Sequence, residues 1–330
     1  MKNILLLVLT FLIACQQPAS DKSFPSPSAP ALPKEDTSIS LSREEYYDKV
    51  LGMLVGSAIG DAMGAPTEMW DRKSIDIQKG YVDSMDGVIR ERSAEGPWET
   101  NMQAGSTTDD TRWKYLSADL CSHNPRDSLN PYDFAKHIIG VYDSKISEVK
   151  KTIDYENINR VFAHATWLVE WVNVAQPFID NDLIDYNEKL SRFYGGEMSC
   201  AGLLYTPLVG AYFPGAPATS YNQAFGLTIF DIGYARDISA LSAAYVSKAM
   251  EHGVQYNEIT LLTREVDPHG YFNSRLIGRM AFRAYENARS ISHEAYSLTE
   301  KDIPANLHLP QNFKHEALYY IQLPKSIFLA

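Results

Sequence analysis

Cysteine is scarce: three in 330 residues, at Cys15, Cys121 and Cys200. That excludes a disulfide-dense scaffold. Cys121 and Cys200 are compatible either with one bridge or with two separate buried thiols, and their spacing does not choose between them. Blocks of Lys or Arg are missing too, and the formal net charge is -11. A polyphosphate backbone is therefore excluded as a partner, so no nucleic acid is expected. Runs of strand-like alternation are few, which argues against a β-sandwich or barrel. No internal repeat is present.

Long apolar runs are also lacking. Ile4–Ile13 is broken only by Thr10 and is too short to span a bilayer. After Lys2 it reads as the hydrophobic stretch of a signal peptide. It ends in LIAC (Leu12–Cys15), which looks like a bacterial lipobox with Cys15 as the lipidated residue. The expectation is an exported lipoprotein, on the outer membrane or cell surface, that touches the membrane only through its anchor. Each acyl methylene contributes ~0.8 kcal/mol to that anchoring. QQPASDKSFPSPSAPALPKEDTS follows, rich in Pro, Ser and Ala and without hydrophobic period, and reads as a tether. The expected division is thus 1–14 signal peptide, 15–40 tether and 41–330 folded domain.

What remains is ordinary globular composition, 45% hydrophobic and 22% charged, with helical periodicity. SREE (Ser42–Glu45) is a capping-box pattern. The apolar run behind it carries Gly52, Gly56, Gly60 and Gly64 at four-residue spacing, on one side of a helix. Four glycines cost roughly 1 kcal/mol each in a helix, so close approach by another helix or a ligand is expected to offset them. Asp48, Lys49 and Asp61 in or beside the run exclude a membrane span. Further helices are expected over Tyr132–Tyr142, Ile158–Val174, Asp237–Met250 and Leu276–Ala288. Gly- and Pro-rich connectors such as GGEMSCAGLL and AYFPGAPATS separate them. The fold class is all-α.

Two acidic motifs hold the chemistry. In GSTTDDTRW (Gly105–Trp113), Thr108, Asp109 or Asp110 serves as a helix N-cap, and Trp113, Leu116 and Leu120 mark the buried face. One acid is explained by a cap. Two adjacent acids flanked by hydroxyls are also the oxygen-donor pattern that Mg²⁺ or Ca²⁺ prefers. In GDAMGAPTE (Gly60–Glu68), a helix end, glycines and a proline carry Asp61 and Glu68. That is a solvated helix terminus or a turn that sets a carboxylate beside a ligand.

GMLVGSAIGDAMGAPTE followed by GSTTDDT resembles the ADP-ribosylglycohydrolase family, which includes the dinitrogenase reductase-activating glycohydrolases. Looser similarity runs through GGEMSCAGLLYTPLVGAYFPG and DIGYARDISALSAAYVSKAM, from Tyr46 to His252. The resemblance implies an orthogonal multi-helix bundle with two Mg²⁺ ions at the bottom of a cleft. It implies Thr108, Asp109 and Asp110 as metal ligands, and Glu68 and Asp110 as the carboxylates that act at the scissile bond. Asp61, Gly196, Met198 and Ser199 would line the substrate pocket. The implied reaction is metal-dependent hydrolysis of an N- or O-glycosidic bond to ADP-ribose or a related ribosyl group, on a small molecule or an ADP-ribosylated substrate. A non-catalytic, lipid-anchored module that binds a nucleotide or sugar is the alternative.

The family's carboxy-terminal D-x-D-[ST] motif has no match. From Leu261 onward the only aspartates are Asp267 in EVDPHG and Asp302 in EKDIPA, and neither has a partner two residues away. Three readings follow: a fragment of a longer protein, a second ligand set drawn from elsewhere such as Asp267–His269, or a non-catalytic relative.

Overall fold

A computed structural model describes residues 39–68, 70–80, 82–89, 101–124, 128–151, 166–196, 198–199 and 201–295. These all fall in the compact unit Pro33–Ala330. The expected signal peptide, Cys15 and most of the tether lie outside the described residues, as does Cys200.

The all-α expectation holds. Eleven α-helices run through the described residues: α1 Arg43–Gly64, α2 Arg72–Gln78, α3 Asp109–His123, α4 Pro131–Lys151, α5 Val169–Ile179, α6 Leu183–Leu190, α7 Thr206–Tyr212, α8 Pro217–Leu227, α9 Tyr234–Ala249, α10 Tyr256–Glu265 and α11 Met280–Ala295. The β-structure among them is one antiparallel pair of two-residue strands, β1 Val88–Ile89 and β2 Asn101–Met102. No described helix is long and apolar enough to cross a membrane.

α1 begins at the predicted capping box. The Ser42 hydroxyl accepts the Glu45 N–H at 3.2 Å, and the Glu45 carboxylate accepts the Ser42 N–H at 2.9 Å. Local sequence is enough to specify such a start. The glycine row behaves differently from expectation. A Cβ added at Gly52, Gly60 or Gly64 would meet nothing within 4 Å, so no close approach offsets their helix cost among the described residues. Along the same helix Tyr47, Leu51, Val55 and Ile59 are exposed. α1 packs through Met53 against Leu208 and Ala211, and through its last turn, where Asp61 and Ala62 are buried.

Close backbone approach does occur elsewhere, between α7 and α9. A Cβ on Gly210 would lie 2.2 Å from the Ala243 carbonyl, so only glycine fits that crossing. α9 is the central helix, with ten buried positions that include Ala240, Ala243, Ala244 and Ser239. Small side chains on it let α7 and α8 pack closely. Against this lies an aromatic core of Trp113, Phe134, Trp171, Phe193, Tyr205 and Phe230, all buried.

α9 also holds a fully buried ion pair. Asp237 accepts from Arg279 Nε at 2.9 Å, Arg279 Nη2 at 2.6 Å and the Tyr221 hydroxyl at 2.6 Å, while Arg279 Nη1 donates to the Thr263 carbonyl at 2.8 Å. Every polar position of the pair is met, as burial of charge requires. This pair corrects one predicted boundary. The last helix begins at Met280 rather than Leu276, because Gly278 takes a left-handed φ of 67° and turns the chain so that Arg279 points inward. Likewise α4 extends to Lys151, beyond the expected Tyr142. The amino-terminal part of the expected helix Ile158–Val174 lies outside the described residues, and α5 runs from Val169 to Ile179.

Candidate functional site

The last turn of α1 meets the first turn of α3. Asp61 is buried there, and its carboxylate accepts four hydrogen bonds from the start of α3. Thr108 donates its N–H at 2.9 Å and its hydroxyl at 2.8 Å; Thr111 donates its N–H at 3.2 Å and its hydroxyl at 2.7 Å. Thr108 is the N-cap of α3, in extended conformation, and its Oγ1 accepts the Asp110 N–H at 3.3 Å. The sequence left the cap among Thr108, Asp109 and Asp110; Thr108 holds it. The amides of Thr108, Asp110 and Thr111 are thus all met without the carboxylate of either following aspartate. Helix starts leave such amides orphaned, and here a second helix answers two of the three.

Asp109 and Asp110 therefore open α3 as its first two helical residues, both half-buried. The Asp110 carboxyl is pushed up to about 7. Burial is the main cause, and the negative charges of Asp109, Asp61 and Glu68 push the same way, against Lys114. Glu68 ends the 3₁₀ turn Ala65–Thr67 that follows α1, and it is exposed. Two segments far apart in sequence thus bring four carboxylates within electrostatic reach of one another.

Aromatic side chains adjoin this acidic corner. Trp113, one turn beyond Asp110, is fully buried, with its ring 4.2 Å from Trp171 and 5.4 Å from Trp167. The indole N–H of Trp113 has no hydrogen-bond partner among the described residues. Tyr194 stands edge-on to Trp171 at 6.0 Å and is 43% exposed. Its hydroxyl is pushed well above the usual tyrosine range, first by burial and then by the charge of Asp109, with Glu170 and Asp110 adding to it. Tyr194 also takes a left-handed φ of 47°. Such a backbone is costly for a non-glycine residue and is common at functional sites.

Tyr194, within electrostatic reach of Asp109 and Asp110, leads into the Gly195–Gly196 turn. Gly196 has φ 82°, and a Cβ there would sit 2.7 Å from the Ser191 carbonyl, so the turn demands glycine. Met198 lies further along, packed toward Gly233. The Ser199 hydroxyl is buried without a hydrogen-bond partner among the described residues. No described contact joins Met198 or Ser199 to Asp109 or Asp110. Tyr194 escaped the sequence reading, although its place directly before two glycines was a usable signal.

The Asp267–His269 stretch does not extend the acidic cluster. Asp267 accepts the N–H groups of Tyr271 and Phe272, both at 2.8 Å, and caps a 3₁₀ turn. The His269 ring stacks on Phe225 at 3.9 Å. Among the described residues no three His, Cys, Asp or Glu side chains are grouped to hold a metal ion. The donor types at the corner are nonetheless those that a hard divalent cation takes. Thr108, Asp109 and Asp110 offer hydroxyl and carboxylate oxygens, and Mg²⁺ is commonly held by one or two carboxylates with water completing its shell.

The sequence model of one family, ADP-ribosylglycohydrolase, matches residues 42–319. The chain belongs to the ADP-ribosylglycohydrolase family. A further similarity covers 76 residues at 36% identity with the uncharacterized protein YegU of Escherichia coli (strain K12). That alignment takes in 22% of this chain and 20% of YegU, so the chain spans about a fifth of the curated relative it matches. Within this glycohydrolase family assignment, both acidic motifs lie inside the matched span and meet at the α1–α3 junction. Cys121, on α3, is a free thiol pushed up to about 12 by burial, and it is distant in role from the acidic corner.

Proposed function

We propose that the protein hydrolyses an N- or O-glycosidic bond to ADP-ribose or a related ribosyl group, with Mg²⁺ as cofactor. The observation that carries this reading is the corner where Asp61 braces the turn that presents Asp109 and Asp110, with Glu68 in electrostatic reach. Thr108, Asp109 and Asp110 would hold Mg²⁺, which when bound supplies Lewis-acid polarisation of ribose hydroxyls and lowers the pKa of a bound water.

The chain's own residues do the rest. Glu68, exposed at the end of its turn, would act at the scissile bond, as general base toward water or general acid toward the leaving group. The Asp110 carboxyl is pushed up to about 7 by burial and its acidic neighbours, and a cation beside it would favour the ionised form. Bond cleavage at an anomeric carbon builds positive charge in an oxocarbenium-like transition state, and the surplus negative charge of this corner stabilises it. Tyr194 and the Gly195–Gly196 turn form the side of the site toward an aromatic base or leaving group, where an exposed ring offers stacking area.

At the cell level the reading is an exported lipoprotein anchored through Cys15, acting on a small-molecule or ADP-ribosylated substrate. Palmitate labelling that disappears on Cys15→Ser supports the anchor, and labelling that persists rejects it. For the activity, release of ADP-ribose or ribose from a panel of ribosyl conjugates is followed with and without Mg²⁺. Mg²⁺-dependent release that falls about 10²–10⁴-fold in Glu68→Gln is expected, the range typical of general acid–base groups. Tight ligand binding without turnover would instead identify a binding module.

A further inference from the structure

Asp61 stands apart from the other acids of the corner. Among the described residues its carboxylate makes no ion pair; it is met by four neutral donors, two backbone amides and two hydroxyls, all from one turn 47 to 50 residues away. In a local capping box, the N-cap side chain takes the N3 amide and the N3 side chain takes the N-cap amide. Here α3 has Thr108 as N-cap and Thr111 as its third helical residue, and the single Asp61 carboxylate takes both of those amides. Both threonine hydroxyls donate to the same carboxylate, so each threonine is fixed at its backbone and its side chain. Asp109 and Asp110 lie between these two clamped residues. Their backbone cannot turn without breaking bonds to Asp61.

We infer that Asp61 is a positioning residue. It contacts no cation and no substrate, and it sets the backbone of Thr108–Thr111 so that Asp109 and Asp110 present their carboxylates together. This rests on the proposed metal reading and extends it, because it moves Asp61 from the pocket wall to the support behind the ligands. Groups that orient metal ligands typically change affinity by 10- to 100-fold when removed.

Asp61→Asn is the conservative test. An amide keeps one oxygen acceptor but turns an NH₂ group toward donors, so at most part of the brace survives. Thr111→Val removes a single hydroxyl bond and leaves the rest, and serves if the first variant folds poorly. Ser42→Ala supplies a control that weakens α1 at its far end, through its own capping box. Mn²⁺ binding to the full-length, detergent-solubilised chain is read by electron paramagnetic resonance, beside the melting temperature of each metal-free protein. The inference expects Mn²⁺ affinity to fall roughly 10- to 100-fold in Asp61→Asn and by a smaller factor in Thr111→Val. Ser42→Ala should melt lower with Mn²⁺ affinity unchanged.

If Asp109→Ala abolishes binding while Asp61→Asn and Thr111→Val bind like wild type, the positioning role is overturned and the metal reading stands. If Ser42→Ala loses affinity in proportion to its melting temperature, the effect is general destabilisation and the inference fails. If the wild-type protein takes up no Mn²⁺, or Asp109→Ala binds as well as wild type, the metal reading falls and the inference with it.

Discussion

Two buried aspartates at helix ends are treated in opposite ways. Asp237, near the start of α9, meets the Arg279 guanidinium through two bonds and the Tyr221 hydroxyl through a third, and both charges are fully buried. Asp61, at the end of α1, meets only neutral donors. Around Asp237 the charge is cancelled in place. Around Asp61 it accumulates, because Asp109, Asp110 and Glu68 add to it and Lys114 is the cation that opposes them at Asp110. A carboxylate paired with a guanidinium holds helices together, whereas neighbouring carboxylates make each other's charge costlier, a cost that a cation or a developing positive charge would relieve. The first arrangement serves the fold; the second is the one proposed to serve a site.

Substitutions that separate stability from chemistry put this contrast at risk. The largest effect on folding is expected from Arg279→Met, which leaves Asp237 buried and uncompensated at a cost of about 3–5 kcal/mol; thermal melting reads it. Asp109→Ala should do the reverse, leaving melting close to wild type while the Mg²⁺-dependent turnover is lost. Equal losses of stability in the two variants would erase the distinction.

A smaller effect concerns pH. Asp110 binds its proton more tightly in the folded protein, at about 7, than the usual 3.8. Between those values the folded state holds more protons than the unfolded chain, so the contribution of Asp110 to stability falls as pH rises from about 4 to about 7 and is flat above. Asp231, raised to about 6 by burial, contributes a slope of the same sign. Metal-free Asp110→Asn should therefore show a shallower fall in melting temperature over that window. An unchanged slope would mean that the corner is not desolvated as described. The smallest effect is expected from Gly52→Ala. With open space around Gly52, alanine should stabilise α1 by about 1 kcal/mol, and a destabilised variant would reveal a surface packed against that face.

Local signals were readable and tertiary ones were not. Ser42 and Glu45 lie three residues apart, so their capping box is written in the sequence. The acid pair Asp109–Asp110 before Trp113 is equally local, and so are the periods that mark α4 and α9. The Asp61 brace is not local: nothing near Asp61 says which amides it will take 47 residues later. The glycine row misled for the same reason, since four-residue spacing proposes a contact but does not supply a partner. Gly278 and Arg279 displaced the start of α11 because a left-handed turn and a buried ion pair outweighed an apolar run that fits a helix. Tyr194 was missed because tyrosine itself does not announce a left-handed backbone; only the two glycines after it hinted at a tight turn. Family membership was legible from two short motifs, and the way they meet in space was not.

The central claim is that Asp109 and Asp110 form a cation-binding edge held in place by the rest of the α1–α3 junction. Its most direct test is the melting temperature of the full-length chain in EDTA and in excess Mg²⁺, for wild type and for the Asp109→Asn, Asp110→Asn double variant. A ligand that binds only the folded state raises stability in proportion to its occupancy. The account predicts an Mg²⁺-induced rise in wild type and none in the double variant, whose metal-free form should already melt higher because the carboxylate repulsion is gone. No rise in wild type, or the same rise in both proteins, would contradict it.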